Sequence, residues 1–384
     1  MTGSTFSMKL NDSSTRLSTE SPTKMDDEDE SNVMLQLHHE LQRLYLILFP
    51  TPAEWCMRVT SFLRLRHIIL GMDPRLKVEI YGSTSQQLYL PSSDLDVAVD
   101  NPYGGIPDLD ALGKMLSDYG LYESVQVIGK SAYPILKLVE TGTNLNIDIG
   151  FNVRHSMAAV TWVRQVRTTF PFLEPLVLII KHFLHHKSLN VPYNGGLTSY
   201  ALIVMVAHFL KRFDLNQLDE SIRRAPLGML LLKFMEFYGE TFEFMKYALV
   251  FTDSNLNADF VEKDQLPVDN FHCPSMLTIM DPVSPGNNIG SGAHNIVYIR
   301  TSFCIAASAL RVFLNCDMRH TSIQQVLYSI IPVTRADQLS RRRTMQNIQT
   351  AFPPFPPVFV PPYSPFVDPS MFPTLSLIPV EKTH

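Results

Sequence analysis

The residues of this sequence best placed for chemistry are two aspartates, Asp94 and Asp96, which are separated by one leucine. Residues two apart in a β-strand face the same side, so a strand here would hold both carboxylates side by side. Carboxylates this close repel each other and perturb each other's titration unless a cation lies between them. Mg²⁺ prefers such oxygen ligands and keeps coordination positions for substrate phosphates. The pair therefore predicts a site for divalent ions and phosphate.

Two further segments extend this candidate site. Gly82 and Ser83 follow a predicted strand, where a glycine lets phosphate approach the backbone and where N–H and hydroxyl groups donate to it. Asp148 lies between two isoleucines in a later predicted strand, and a buried acid there needs a partner. A metal shared with Asp94 and Asp96 would be that partner. Three carboxylates around two metal ions suit in-line nucleotidyl transfer.

A structural interpretation of the same residues competes with this one. An Asp-x-Asp pair alone is common, and acids that follow Pro91-Ser92-Ser93 often only cap a turn. The joint pattern of strand, Gly-Ser, loop, strand with two acids and a later strand with one acid is more specific.

These acids require a sheet to position them, and the chain alternates in the way a small sheet would. Short runs with apolar alternation predict five strands, and one helix lies among them. The predicted strands are residues 76–81, 95–99, 125–128, 135–139 and 145–149, and the helix is 106–119. Strands clustered in one region of a mostly helical chain predict the α+β class.

Helical periodicity dominates on both sides of this region. The predicted helices are residues 33–48, 52–70, 171–187, 196–213, 226–238 and 297–313. The second of these would turn one face inward, formed by Trp55, Val59, Phe62, Leu63 and either Ile68 or Ile69. A cleft between the sheet domain and the helical domain is the natural place for an active site.

Composition limits the function classes. The 384 residues carry a formal charge of −5, which argues against strong autonomous RNA binding. Four widely spaced cysteines predict no zinc site or disulfide framework and fit a reducing compartment, nucleus or cytosol. A polar N-terminal arm shows no secretory signal, and the apolar runs 175–180 and 201–210 are too short to span a bilayer, so we expect no membrane partner. A basic cluster, Arg341–Arg343, precedes a Pro-rich tail that favours an extended conformation.

Four segments carry a resemblance to a known family. They are YGSTSQQLYLPSSDLDVAV, NIDIGFN, PLVLIIKHFLHHKSLNVPYNGGLTSYALIVMVAHFL and PSMLTIMDPVSPGNNIG. Together they resemble the DNA polymerase β-like nucleotidyltransferases, and specifically the noncanonical poly(A) polymerases of the Trf type, from about residue 34 to 315. The resemblance implies a small mixed-sheet polymerase β-like domain and a mainly helical central (PAP-associated) domain, with a cleft between them.

Five regions follow from this organisation. They are a disordered arm (1–32), N-terminal helices packing on the helical central domain (33–75), the nucleotidyltransferase catalytic domain (76–160), the helical central domain with a nucleotide recognition motif (161–334), and a basic then Pro-rich disordered tail (335–384).

The resemblance also implies roles for individual residues. Asp94, Asp96 and Asp148 would be the catalytic metal ligands for Mg²⁺, with Mn²⁺ as an alternative ion. The nucleotide would contact Gly82, Ser83, Lys181, Ser199, Tyr200 and Asn287. Of these, Gly82, Ser83, Lys181 and Ser199 would hold the triphosphate, Tyr200 would stack on the base, and Asn287 would help to choose the base. Taken without the family, Lys181 could be a solvated surface lysine and Tyr200 a core residue.

Substrate and partners are predicted from the same comparison. Related uridylyltransferases tend to have a histidine where Asn287 stands, so Asn287 predicts ATP as substrate and RNA 3′ ends as acceptor, with terminal uridylyl transfer as the alternative. The chain has Ser291, Asn288 and His185 where relatives often have Arg, Asp and a basic residue. The departures at Ser291 and His185 leave a second hypothesis open, an inactive or weakly active adaptor that recruits RNA-binding partners. No RNA-recognition motif is visible, so we expect an RNA-binding or adaptor protein to deliver the RNA, and no DNA template.

Overall fold

The computed structural model describes residues 27–128, 134–218, 220–252, 255–266, 274–314, 322–333 and 346. Most of the predicted arm and all of the predicted tail except Gln346 therefore lie outside the described residues.

The first helix, α1 (Asp27–Leu48), begins inside the arm that we predicted to be disordered, so that boundary is wrong by several residues. Leu37, Leu41 and Leu44 are fully buried along one face. This face packs against α6 (Leu173–His186) and α9 (Leu227–Glu236) of the helical region.

The second helix, α2 (Pro52–Met72), starts at a capping box in which Thr51 and Glu54 bond each other's backbone N–H groups. It packs against the sheet through Met57, Leu65 and Ile68. The prediction that both N-terminal helices pack on the helical domain is therefore wrong for α2.

The predicted inner face of α2 is wrong in part. Ile68 and Ile69 are buried, as one of them was predicted to be, but Leu63 is 53% exposed, and the polar residues Arg58 and Ser61 are almost fully buried. The helix is rotated because Arg58 and Ser61 find hydrogen-bond partners inside the fold, in a loop and in Glu140 respectively. Buried polar partners of this kind lie far away in sequence and cannot be read from apolar periodicity.

A five-stranded mixed sheet lies at the centre of the first half of the chain, as predicted. Its strand order is β1-β2-β5-β4-β3, with only β2 and β5 parallel. The strands are β1 (Lys77–Ile80), β2 (Leu95–Asp100), β3 (Tyr122–Ile128), β4 (Ile135–Glu140) and β5 (Asn146–Phe151). A one-turn helix, α3 (Gly82–Ser85), joins β1 to the loop before β2, and α4 (Leu109–Asp118) precedes β3.

The remaining described elements form a mainly helical region with its own apolar core. The predicted boundary at residues 160 and 161 falls inside α5 (Arg154–Thr169). The other helices are α6 and α9, given above, α7 (Ser199–Arg212), α8 (Glu220–Arg224), α10 (Ile296–Leu314) and α11 (Ile323–Ile330). Two hairpins that we did not predict join them, β6 (Tyr247–Phe251) with β7 (Ala258–Glu262) and β8 (Met280–Asp281) with β9 (Ser284–Asn288).

Within the described residues, α10 is the one helix whose length and composition would allow it to cross a membrane. Its residues Ile299, Phe303, Ala307 and Leu310 are buried in the helical core. Arg300 near its start donates to the backbone oxygens of Gly239 and Glu240. One face of α10 therefore packs into the helical core, whereas Val297, Tyr298, Ile305 and Val312 are exposed.

Candidate active site

The three predicted acids lie at the junction of β2 and β5. In this parallel pair, Asp96 is the direct register partner of Asp148, and Asp94 stands one residue before β2 begins. Neighbouring strands are about 4.8 Å apart, and residues paired in register face the same side of the sheet. The structure therefore brings together acids that are more than fifty residues apart in sequence.

Burial, together with the neighbouring carboxylates, perturbs the titration of Asp96 and Asp148. Burial, reinforced by Asp148 and then Asp94, raises the pKa of Asp96 to about 7, although Lys181 and Arg58 oppose this. Burial also raises the pKa of Asp148, with Asp94 adding to the shift. Like charges crowded in a partly buried site take up protons or bind a cation.

Asp148 has a partner that the sequence analysis missed. Lys137 lies opposite it in the antiparallel pairing of β4 and β5, and its Nζ donates to Asp148 Oδ2 at 2.5 Å. This hydrogen bond lowers the Asp148 pKa against the effect of burial. The alternation of β4 was visible in the sequence, but its register against β5 was not.

Hard carboxylate oxygens from three residues suit a divalent ion such as Mg²⁺. Within the parts of the chain that the structure describes, however, no group of three His, Cys, Asp or Glu side chains is gathered closely enough to hold a metal. The acids are neighbours that have not converged on one point, and Asp148 is turned to Lys137. The donor chemistry fits the ion, because Asp148 and Asp94 add to the raised pKa of Asp96, and Asp94 adds to that of Asp148.

Gly82 lies directly beside Asp96. Its backbone has a φ of +62°, and a Cβ built there would lie 2.2 Å from Asp96 Oδ2. The preceding residue, Tyr81, donates its N–H to the Asp96 carbonyl oxygen at 3.0 Å. Ser83 is buried in the first turn of α3. The structure therefore places the Gly82-Ser83 turn next to Asp96, and its binding of phosphate stays a prediction.

Lys181 is buried within α6, which excludes the interpretation that it is a solvated surface lysine. Its Nζ donates to the carbonyl oxygen of Leu88 at 3.0 Å. Burial lowers its pKa to about 8, while Asp96 and Asp94 favour its charged form. Its ammonium thus interacts with the acids and with the loop that leads to them.

The predicted base contacts meet at a residue that the sequence analysis did not assign to the site, Asp281. Tyr200 donates its hydroxyl to Asp281 Oδ1 at 3.0 Å, and Asn287 donates from Nδ2 to Asp281 Oδ2 at 3.2 Å. Asp281 is buried, and it also accepts the N–H of Val283. One carboxylate therefore fixes both predicted base-contacting side chains, with Asn287 itself exposed on β9.

Ser199 is the first residue of α7, a 14-residue helix capped by Thr198, whose side chain accepts the N–H of Ala201. The N-terminus of a helix carries partial positive charge and unpaired N–H groups that favour anions. Helix α3, which carries Gly82 and Ser83, contacts α7. The two predicted triphosphate segments are therefore on neighbouring elements.

Comparison with known proteins shows which family this sequence and fold resemble. Residues 37–162 match the model of the central palm domain of mitochondrial-like poly(A) RNA polymerase, and residues 226–287 match that of the Cid1 family poly A polymerases. The poly(A) RNA polymerase gld-4 of Caenorhabditis elegans is 30% identical over 330 residues, which are 81% of this chain. The polymerase core of TRAMP, an RNA surveillance complex, has the same fold with a TM-score of 0.66 and 27% identity, over 83% of this chain and 95% of that one.

The chain belongs to the noncanonical poly(A) polymerases of the Trf type. Its fold is that of the polymerase β-like nucleotidyltransferases, as predicted. It spans 39% of the length of gld-4, well under half of that relative.

Membership of the poly(A) polymerase family does not by itself show that a chain is catalytically active. The Drosophila melanogaster protein Trf4-2 is 29% identical over 78% of this chain and 74% of its own length, and it is named an inactive non-canonical poly(A) RNA polymerase.

One departure from the family pattern is accommodated in the fold. Asn288 is buried, and its Oδ1 accepts the N–H groups of Ile279 and Gly290 at 3.0 and 2.9 Å. Its Nδ2 donates to the Leu277 carbonyl oxygen at 3.2 Å, which a carboxylate could not do. The amide at this position therefore stabilises the β8–β9 hairpin that carries Asn287.

Proposed function

We propose that this chain is a template-independent RNA nucleotidyltransferase that adds adenylates from ATP to RNA 3′ ends. One observation carries the proposal, the parallel pairing that puts Asp96 beside Asp148, with Asp94 adjoining and Gly82 against the Asp96 carboxylate. Acids brought this close are costly to keep without a role in binding cations.

The residues divide the work between ions, triphosphate and base. Asp94, Asp96 and Asp148 would hold two divalent ions, Mg²⁺ or Mn²⁺, and the chemistry supplied there would be activation of the 3′-hydroxyl and stabilisation of the leaving pyrophosphate. Gly82, Ser83, the start of α7 at Ser199, and the ammonium of Lys181 hold and neutralise the triphosphate.

The base contacts favour adenine over uracil. Because Asp281 accepts from Asn287 Nδ2, the Asn287 amide is oriented with its Oδ1 as the remaining acceptor. An acceptor matches the amino group of adenine, whereas uracil presents an oxygen at the equivalent edge. Tyr200 is anchored at its hydroxyl, which leaves its ring as a stacking surface of about 1–3 kcal/mol per base. Terminal uridylyl transfer is the alternative, and it predicts the opposite preference.

The test is extension of a labelled RNA primer with each of the four nucleotides in the presence of Mg²⁺. The wild-type chain is compared with an Asp94→Ala, Asp96→Ala double variant and with Asp118→Ala, which removes an exposed acid on α4. We expect ATP-dependent extension that the double variant loses and Asp118→Ala keeps. Extension with UTP well above ATP would replace adenylate by uridylate, and equal activity of all three proteins would refute the assignment of the acids.

A second candidate function is a non-catalytic adaptor. It is favoured by the similarity to Trf4-2, a relative named inactive, and by the ion pair that holds Asp148 on Lys137. His185 and Ser291 further reduce the positive charge available to a triphosphate. No extension under any condition, with a cellular phenotype that the double variant still rescues, would favour the adaptor.

The RNA substrate is expected to arrive through a protein partner. The formal charge of −5 is unfavourable for binding RNA phosphates over a broad surface. The similar TRAMP polymerase core works within a complex, and we propose a comparable arrangement in the nucleus or cytoplasm. Fusing the chain to an RNA-tethering domain should raise extension of the tethered RNA. A chain that is fully processive on free RNA would contradict this.

A further inference from the structure

The loop between Gly82-Ser83 and the acids is held by cations from three helices. Arg167 of α5 donates to the carbonyl oxygen of Gln86 at 2.9 Å, and Lys181 of α6 donates to that of Leu88. Arg58 of α2 binds the end of the loop that leads into Asp94. The conformation of this loop is therefore set from outside the sheet.

Arg58 makes the most extensive of these contacts. Its Nη2 donates to the carbonyl oxygens of Ser93 at 2.5 Å and Pro91 at 3.5 Å, and its Nη1 donates to that of Asp94 at 3.2 Å. The guanidinium lies 4.3 Å from the ring centre of Tyr89, and it is 1% exposed. A buried, permanently charged group is stable only where several acceptors surround it.

Arg58 also reaches the phosphate-binding turn. Its Nη1 lies 3.4 Å from the hydroxyl oxygen of Thr84, inside α3 and next to Ser83. One rigid guanidinium fork therefore bonds the backbone of Asp94 and contacts the turn that begins at Gly82. The planar fork fixes the directions of several hydrogen bonds at once, which a lysine cannot do.

We infer that Arg58 is a positioning residue that sets the backbone of Asp94 against the Gly82–Ser85 turn, and thereby the divalent-ion affinity of the acids. It touches neither ion nor nucleotide itself. The inference rests on the proposed function, because it assigns the Asp94 carboxylate to a metal site. Groups that orient metal ligands from outside the coordination sphere typically contribute about 10–100-fold to metal affinity.

The helix itself offers a matched control. Arg64, six residues further along α2, pairs with the buried Glu140 at 2.7 Å. Arg58→Gln and Arg64→Gln each remove one cation from α2. Both substitutions should lower thermal stability, but only the first should disturb Asp94.

The experiment measures Mn²⁺ binding to the full chain by electron paramagnetic resonance, together with thermal unfolding of each variant. We expect Arg58→Gln to weaken Mn²⁺ binding by about 10–100-fold and Arg64→Gln to leave it within about twofold of wild type. Arg58→Lys keeps the charge without the fork and should fall between wild type and Arg58→Gln; it carries the test if Arg58→Gln does not fold. An Arg58→Lys chain with wild-type affinity would then overturn the inference.

A second measurement separates positioning from general damage. In an Asp94→Asn background, Arg58→Gln should have little further effect on Mn²⁺ affinity, because residues acting through one another are not additive. In extension assays, the Arg58→Gln defect should shrink at saturating metal. Equal losses with and without Asp94, or equal losses for the Arg58 and Arg64 variants, overturn the inference.

The outcomes also distinguish this inference from the proposed function. A wild-type chain that binds Mn²⁺ through Asp94 but extends no RNA refutes the proposed activity and leaves the role of Arg58 standing. An active wild type in which Arg58→Gln behaves like Arg64→Gln refutes only the role of Arg58. A wild type without Asp94-dependent Mn²⁺ binding refutes the inference.

Discussion

Substitution of Gly82 by alanine should lower catalytic activity much more than its effect on the stability of the fold would explain. The added Cβ would lie 2.2 Å from Asp96 Oδ2 and 2.9 Å from its Cγ, so the carboxylate must move by about 0.8 Å to reach even 3.0 Å. Rotating one side chain is easy for the fold, but it displaces a proposed metal ligand. A misplacement of about 1 Å at a reacting centre can cost about 100-fold in rate. That factor corresponds to about 2.7 kcal/mol of transition-state stabilisation.

Gly120→Ala is the matched control, because Gly120 has a φ of +67° and no atom within 4 Å of a built Cβ. Both alanines carry the same left-handed backbone penalty, about 1–2 kcal/mol. We expect similar losses of thermal stability in the two variants, and a fall of about 100-fold in kcat for Gly82→Ala alone. The assay is ATP-dependent primer extension with folded fractions checked by circular dichroism. If Gly82→Ala and Gly120→Ala extend RNA at the same rate, Asp96 is not the ligand that the geometry implies.

Two further predictions concern the acids and the base site. Burial with Asp148 and Asp94 raises the pKa of Asp96 to about 7, above about 4 for an unfolded aspartate, so the folded state binds the extra proton between these values. Stability without divalent ions should therefore fall as the pH rises from about 4 to 7, and melting curves in a chelator should show a weaker pH dependence for Asp96→Asn; parallel curves would contradict this. Asp281→Asn replaces the carboxylate that accepts hydrogen bonds from both Tyr200 and Asn287. The new amide has an oxygen at only one of the two positions, so one of these hydrogen bonds is lost, at a cost of about 1–3 kcal/mol. The ratio of kcat/KM for ATP over UTP should fall relative to wild type and to the exposed control Asp264→Asn, and an unchanged ratio would show that Asp281 does not position Asn287.

The sheet and most helices could be predicted because their signals are local. Alternation found β2 and β5, and helical periodicity found α6 and α7, each within a few residues of its observed bounds. The elements that were missed lack a strong local signal in the sequence. The two hairpins that were missed are short, and β9, which carries Asn287, contains Pro285 and Gly286, which read as a turn.

The sequence indicated candidate residues for the site, but it did not indicate which other side chains contact them. Asp94, Asp96 and Asp148 were identified by pattern, but the partners that determine their state lie elsewhere in the chain. Lys137 pairs with Asp148 only through strand register, and Asp281 was indistinguishable from a turn residue until Tyr200 and Asn287 were seen to converge on it. Contacts between residues 81 positions apart leave no periodicity in the sequence.

The net charge of the whole chain does not describe the electrostatic environment of the three acids. The chain carries −5 overall, yet its three clustered acids are surrounded by three cations, Lys137, Lys181 and Arg58, all of which act on the carboxylates or the loop that bears them. Lys137 competes with any ion for Asp148, whereas Arg58 binds backbone oxygens and leaves the carboxylate of Asp94 free of its hydrogen bonds. A cation that bonds a carboxylate directly competes with a metal ion for it, whereas a cation that bonds only backbone oxygens leaves the carboxylate available. In the proposed metal site, the affinity for divalent ions would therefore depend on where each positive charge bonds as well as on how many there are.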